Sequence, residues 1–165
     1  MLKKMAGKEM ETNAFTVEGL KRLQDELAER KTTKAAEISE RLKDARAQGD
    51  LSENSEYDDA KEAQAKNESR IIELEEILKN ARVIDDEEIS KTKVSLGSTV
   101  LLRDEQTKEE NTYSLVNANE GDIFNNKISV ESPVGRAILG KKKGQIVEVN
   151  TTTGSFKYKI VKIGK

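Results

Sequence analysis

Asp50 and Glu53 stand three residues apart in the run Gly49-Asp50-Leu51-Ser52-Glu53-Asn54-Ser55-Glu56-Tyr57, and carboxylates so spaced have two uses. At the start of a helix, Asp50 or Ser52 can accept from the free N–H groups while Glu53 bonds back. Acidic groups in a first turn also gain roughly 0.3–1 kcal/mol each from the helix dipole. The other use is as oxygen ligands to a hard cation such as Mg²⁺. Two carboxylates are too few to hold that ion tightly, because it keeps waters or borrows further ligands. On spacing alone the capping use leads, since capping signals are far commoner than metal sites. Leu51 leans the other way: an apolar side chain in an exposed turn has little to pack on unless a partner supplies it.

Little other chemistry competes. The chain holds no Cys and no His, which excludes disulfides, zinc fingers, thiolate nucleophiles and His-dependent acid–base schemes. Charged residues make up 36%, apolar residues 35% and aromatic residues 4% of 165 residues. That composition suits a thin, solvated helical element beside a small domain better than one large core. A net charge of -2 makes the chain no polycation. The N-terminal Met1-Leu2-Lys3-Lys4-Met5-Ala6 lacks the apolar run of a signal peptide, and no segment has the length and apolarity of a membrane span. The expectation is a cytoplasmic protein with no membrane partner.

The acidic run needs two elements to position it. Thr16 can cap a helix, with Glu18 in its first turn. Apolar residues then recur at Leu20, Leu23 and Leu27, and again at Ala35, Ile38, Leu42 and Ala45. The step from Leu27 to Ala35 is eight residues, a one-residue discontinuity in a heptad that perturbs the supercoil locally. Gly49 is a natural helix stop. The second helix carries Tyr57, Ala60, Gln64, Asn67, Ile71, Leu74, Leu78 and Ala81, alternately three and four apart, as in a coiled-coil seam. Gln64 and Asn67 are polar, and buried amides weaken a seam but fix its register. The two helices predict an antiparallel hairpin with arms about 40–50 Å long. Small residues toward its acidic apex, Ala45 and Ala60, keep that end slim.

After Asp85-Asp86-Glu87-Glu88 the helical period stops. Strands are predicted at Ser98–Arg103, Thr112–Val116, Lys127–Val130, Gln145–Asn150 and Ser155–Val161. A short helix begins at Ser132-Pro133 and ends at Gly140. The expected fold class is α+β: a flexible tail over 1–14, a coiled-coil hairpin over 15–84 with its apex at 49–57, and an antiparallel sheet domain with one short helix over 88–165.

The run Ala45-Arg46-Ala47-Gln48-Gly49-Asp50-Leu51-Ser52-Glu53-Asn54-Ser55-Glu56-Tyr57 closely resembles the apex motif of the Gre transcript cleavage factors. The resemblance extends through Asn80–Asp85 and from Ile128-Ser129-Val130-Glu131-Ser132-Pro133 to Gly140-Lys141. It implies a hairpin followed by a domain of the FKBP-like fold, and it reverses the odds that spacing alone sets. It also implies that the hairpin enters the secondary channel of bacterial RNA polymerase. There Asp50 and Glu53 would help hold a second Mg²⁺ beside the polymerase's own carboxylates and promote hydrolysis of the backtracked RNA 3′ end. That ion belongs to the polymerase active centre and is not tightly bound by the free chain. Arg46 matches a basic position of the family near the apex, and Lys61 stands where arginine is familiar. Both are candidates to contact RNA, with a solvated helix-face charge as the plainer reading. Leu51, Ser52 and Asn54 are expected at the contact with polymerase or RNA, and Gly49 and Tyr57 as braces of the turn.

Arg41, Lys43 and Arg46 alternate with Glu37, Glu40 and Asp44. That argues for the less basic of the family's cleavage sub-types, which acts on short backtracked RNA. The related anti-cleavage inhibitors carry a more acidic apex. The C-terminal half is expected to dock at the channel entrance, the chain to act as a monomer, and the factor to stimulate an activity of the polymerase rather than be an enzyme. A prolyl isomerase would need an aromatic-lined pocket, whereas Tyr113, Phe124, Phe156 and Tyr158 are dispersed and read as core. A bare coiled-coil adaptor leaves the acidic apex unexplained.

Overall fold

The computed structural model describes residues 13–49, 53–85 and 87–165. The chain divides into two compact units: one takes the residues up to Gly19 together with Arg82–Lys165, the other Leu20–Ala81.

The second unit is the predicted hairpin. Helix α1 (Val17–Glu29) passes through a π-helical turn (Arg30–Lys34) into α2 (Ala35–Ala47), and α3 (Ser55–Asn80) returns. At 26 residues, α3 is about 39 Å long. Cross-arm partners pair Ala45 with Asn54, Arg30 with Asn67 and Glu26 with Arg70, so the arms run antiparallel. Leu23, Ile38, Leu42 and Ala45 are buried on one arm, and Ala60, Asn67 and Leu74 on the other. The π-turn sits in the eight-residue step between Leu27 and Ala35. A widened turn absorbs one extra residue, so the apolar stripe resumes in phase beyond it. Its five residues, Arg-Lys-Thr-Thr-Lys, include none that is buried.

The first unit is built on a five-stranded sheet in the order β5-β4-β3-β7-β6. Its strands are β3 (Thr99–Asp104), β4 (Glu110–Val116), β5 (Lys127–Ser129), β6 (Ile146–Thr151) and β7 (Gly154–Gly164). The five strands fall where the sequence places them, with β7 running further at its end. Three pairings are antiparallel, while β5 lies parallel to β4 at one edge. The chain returns to that edge through two 3₁₀ turns, Ala118–Glu120 and Ile123–Asn125, rather than a hairpin. Helix α4 (Pro133–Ile138) opens as expected, with Ser132 Oγ accepting from the Gly135 N–H at 3.0 Å. Val94, Val100, Leu102, Leu115, Ile138, Val147, Val149 and Ile160 form the core.

One pairing corrects the sequence reading of a flexible tail over 1–14: residues 1–12 lie outside the described residues, but Ala14 belongs to a buried strand. Strand β1 (Ala14–Phe15) lies parallel to β2 (Arg82–Val83), and both β1 residues are buried. Asn117 Nδ2 donates to the Ala14 carbonyl at 2.9 Å. Next to it, Glu120 is only 3% exposed. It accepts from the Thr16 hydroxyl, from the Thr16 N–H at 3.5 Å and from the Asn117 N–H at 3.2 Å. Thr16 itself caps α1, its Oγ1 accepting from the Gly19 N–H at 3.0 Å. A Cβ on Gly19 would lie 1.4 Å from Glu120 Oε1, so the carboxylate reaches the helix start only because residue 19 has no side chain.

Candidate functional site

The turn between α2 and α3 is assembled from local chemistry. Helix α2 ends at Ala47, and Gly49 takes φ +112°, a conformation that side chains rarely adopt, so the chain breaks there. Asp50, Leu51 and Ser52, three of the predicted site residues, lie outside the described residues. Glu53 is exposed just before Asn54, which caps α3.

Asn54 works with both ends of its amide. Its Oδ1 accepts from the Tyr57 N–H at 3.1 Å, and its Nδ2 donates to the Ala45 carbonyl at 2.7 Å. One side chain thus starts the returning helix and ties it to the last turn of the outgoing one. The sequence reading gave the cap to Asp50 or Ser52 with Glu53 bonding back, and gave Asn54 to partner contact. Asn54 is the cap in the structure, and the residue immediately before Ser55 and the seam carried that signal.

Tyr57 is half-buried and packs on the cluster of Ile38, Leu42 and Ala60. The Arg46 guanidinium lies 5.9 Å from the centre of its ring, within the range of a cation–π contact. Arg46 and Tyr57 therefore meet across the arms, directly below the turn. Lys61, one turn further along α3, donates to Gln64 Oε1 at 3.1 Å on an exposed face. Arg46, Gly49, Glu53, Asn54 and Tyr57 thus gather at one end of the hairpin. Among the described residues, no group of three or more His, Cys, Asp or Glu side chains could hold a metal ion.

Down the hairpin several cations are matched by acids: Lys43 with Glu40 at 3.2 Å, Lys34 with Glu37 at 3.9 Å, Arg70 with Glu73 at 2.8 Å, and Lys66 with Glu62. The Arg70 guanidinium, aided by Arg30 and opposed by burial, holds the Glu26 carboxyl at about 2. These pairs break up any basic run, and acids outnumber bases between residues 17 and 80, so the hairpin carries a net negative charge.

The sheet unit carries a separate apolar feature. A cavity of about 450 Å³ is lined by Leu102, Tyr113, Ile128, Val134 and Tyr158, with Ile123 at its rim. Burial, with Asp104 and Tyr113 adding to it, pushes the Tyr158 phenol above its ordinary range. Beside the cavity Ile123 is 88% and Phe124 99% exposed. Phe124 is therefore not core, as its aromatic character suggested. The turn carrying it is pinned by Asp122, which accepts from the Phe124 N–H at 3.1 Å and the Asn125 amide at 2.7 Å, and the ring is left outside. Among the described residues, no helix is long and apolar enough to cross a membrane.

Residues 13–83 match the family model described as transcription elongation factor, N-terminal, and residues 89–165 that of transcription elongation factor GreA/GreB, C-term. Transcription elongation factor GreA of Thermoanaerobacter pseudethanolicus is 55% identical over 92% of this chain and 96% of its own. That of Caldanaerobacter subterraneus is 54% identical over 90% and 95%. Among solved structures, the GreA factor homolog Gfh1 of Thermus thermophilus is 29% identical over 92% of this chain and 98% of its own, with a TM-score of 0.41. The GreA/GreB factor of Nitrosomonas europaea is 36% identical over 58% and 79%, with a TM-score of 0.42.

Proposed function

The chain belongs to the GreA/GreB family of transcription elongation factors, and from that premise we propose how its parts serve transcription. It is an accessory factor rather than an enzyme in its own right. Its partner is RNA polymerase, whose cleavage of backtracked RNA it stimulates. The hairpin is the part that enters the polymerase, and Asp50 and Glu53 are the groups it delivers.

The observation that carries this reading is the Asn54 cap. Helix α3 already has a capping acceptor in Asn54, at 3.1 Å from the Tyr57 N–H, the role that spacing alone would give to Asp50 or Ser52. With that cap filled by Asn54, we read Asp50 and Glu53 as groups offered to a partner beyond the chain. Their oxygen donors have the hardness Mg²⁺ requires, but two carboxylates fall short of its coordination shell. They fit as a partial ligand set completed by polymerase and water, and not as a resident site. When bound there, the ion would supply an activated water and neutralise charge developing on the phosphate. The chain's own contribution is aim: Asn54 closes the turn, Gly49 lets it bend, and Tyr57 braces it against the seam. Arg46, held over the Tyr57 ring, and Lys61 are placed to meet the extruded RNA. The lack of an unbroken basic run below them suits a factor for short backtracked RNA.

The sheet unit supplies docking in this reading. An exposed phenylalanine on a pinned turn beside an apolar cavity has the character of an anchor for a protein partner. Stalled elongation complexes carrying backtracked RNA test the whole proposal. With Mg²⁺, the full chain should shorten the RNA from its 3′ end far faster than polymerase alone. Binding to polymerase without faster cleavage would instead make the chain a polymerase-binding regulator that lacks cleavage activity.

A further inference from the structure

The first arm poses a mechanical problem that its apolar residues do not solve. Leu20, Leu23 and Leu27 form one stretch of the seam, and Ile38, Leu42 and Ala45 another, one residue out of heptad phase. The π-turn at Arg30–Lys34 makes up the difference, and nothing in it is buried. No apolar side chain of the turn therefore fixes where the widening occurs. A widened turn that could migrate would carry the apical half of the arm to a different rotation and height.

Two side chains of α3 meet the turn: Glu75, exposed, pairs with Lys31, and Asn67 is buried, 5% exposed. Its Nδ2 donates to the Arg30 main-chain carbonyl at 3.0 Å, and its Oδ1 accepts from the Arg30 guanidinium at 3.3 Å. Arg30 also bonds Glu26 at 2.8 Å, and Glu26 takes both Arg70 Nε and Nη2 at 3.0 Å. The other members of this network join only side-chain ends. Asn67 alone among them grips a backbone atom of the opposite arm. Thr32 assists from within the turn, its hydroxyl donating to the Ala28 carbonyl at 2.8 Å.

We infer that Asn67 is a positioning residue: by holding the Arg30 carbonyl it locks the widened turn in place and sets the register in which the arms deliver the apex. A buried amide that selects one alignment at some cost in stability is a known use of such residues in seams. Here its object is the phase change in the facing helix. The inference rests on the proposed cleavage role only for its functional consequence, since the register itself is a property of the free hairpin.

The test uses the full chain. Because the protein has no cysteine, cysteines introduced at the exposed Glu40 and Glu62 carry a single pair of spin labels across the apical arms. The parent should give one narrow distance. Asn67→Leu, which keeps the seam filled, should keep its helicity but broaden or split that distance. With saturating factor, RNA cleavage should fall by about two orders of magnitude, the scale of a 1 Å misplacement, while binding to polymerase is unchanged. Deleting Thr33 restores a seven-residue step between Leu27 and the next seam residue and removes the need for a wide turn. In that background Asn67→Leu should leave the distance narrow. If the leucine variant does not fold, Asn67→Asp, which keeps the acceptor and loses the donor, takes its place. An unchanged distance in Asn67→Leu, or equal broadening with and without the deletion, overturns the inference. Failure of the parent to stimulate cleavage would overturn the proposed function instead and leave the distance measurement to decide the register.

Discussion

The two units hold their residues by different means. In the sheet unit eight buried apolar side chains share one core, and even the buried carboxylate of Glu120 is matched by donors. In the hairpin the apical cluster amounts to Ile38, Leu42 and Ala60, with Tyr57 and Ala63 packed against it. What burial does in the first, directed polar contacts do in the second: Asn54 at the turn, Asn67 at the π-turn, and Glu26 between two arginines. An element kept slim has few apolar contacts to spend on order. Its precision has to come from hydrogen bonds to the backbone, each of which fixes a distance where an apolar contact would not.

The largest effect that comparison predicts is on activity without stability. Asp50→Asn combined with Glu53→Gln should abolish stimulated cleavage while moving the unfolding free energy by about 0.5 kcal/mol or less, the scale of substitutions that touch neither a core nor a cap. Cleavage assays beside thermal melts check this, and a large loss of stability would return the acids to a capping role. Tyr57→Ala comes next: cleavage at saturating factor should fall steeply, while polymerase affinity, measured by competition with the parent, barely changes. An unchanged rate would mean that the polymerase, not the hairpin, aims the apex.

Asn54→Ala blurs the contrast, because it removes a cap and a cross-arm tie together. It should cost about 1 kcal/mol or somewhat more in hairpin stability and lower cleavage as well. Denaturant titration followed by helical circular dichroism measures the first part. Asn54→Asp keeps the acceptor but not the donor, so it should recover the cap and leave the tie broken.

In the sheet unit the expected sign is opposite to intuition. Gly→Ala within a helix normally gains up to about 1 kcal/mol. At Gly19 the new Cβ would strike Glu120 Oε1, and moving that carboxylate forfeits its bonds to Thr16 and Asn117. Gly19→Ala should therefore destabilise by about 1–3 kcal/mol, a cost that a Glu120→Ala background should largely erase.

The smallest effect is a pH dependence. Glu26 is held at about 2 against an ordinary 4.5, so its ion pairs contribute fully above the unfolded value. That contribution fades as pH falls from about 4.5 through about 2. Comparing Glu26→Gln with the parent should show a stability difference that is constant from pH 7 to 5 and shrinks below.

Much of this was legible in the chain. The three-and-four spacing from Tyr57 to Ala81 marked the returning helix, and the eight-residue step after Leu27 marked the π-turn, though not its type. The Ser132-Pro133 start of α4 was readable because capping is local. Strand β1 was not: two residues have no periodicity, and their partners lie at Arg82 and Val83, far along the chain. Glu120 was illegible for the same reason. Its neighbours Asn117 and Asn119 suggest a local turn, and nothing near it names Thr16 or Gly19 as partners. The parallel edge strand β5 reads like any short strand, because the direction of pairing leaves no mark on side-chain alternation.

The two-handed grip of Asn54 has a consequence for how such a molecule can change over generations. Because Ala45 and Tyr57 are joined through one amide, the stretch between them closes as a small ring before any partner is met. Rewriting that ring leaves every seam position where it was, and lengthening it adds only about 0.6 kcal/mol of closure entropy per doubling. The tip therefore behaves as a cassette. Substitutions there can change what the hairpin presents to a partner while the contacts of the arms and of the sheet unit are inherited unaltered.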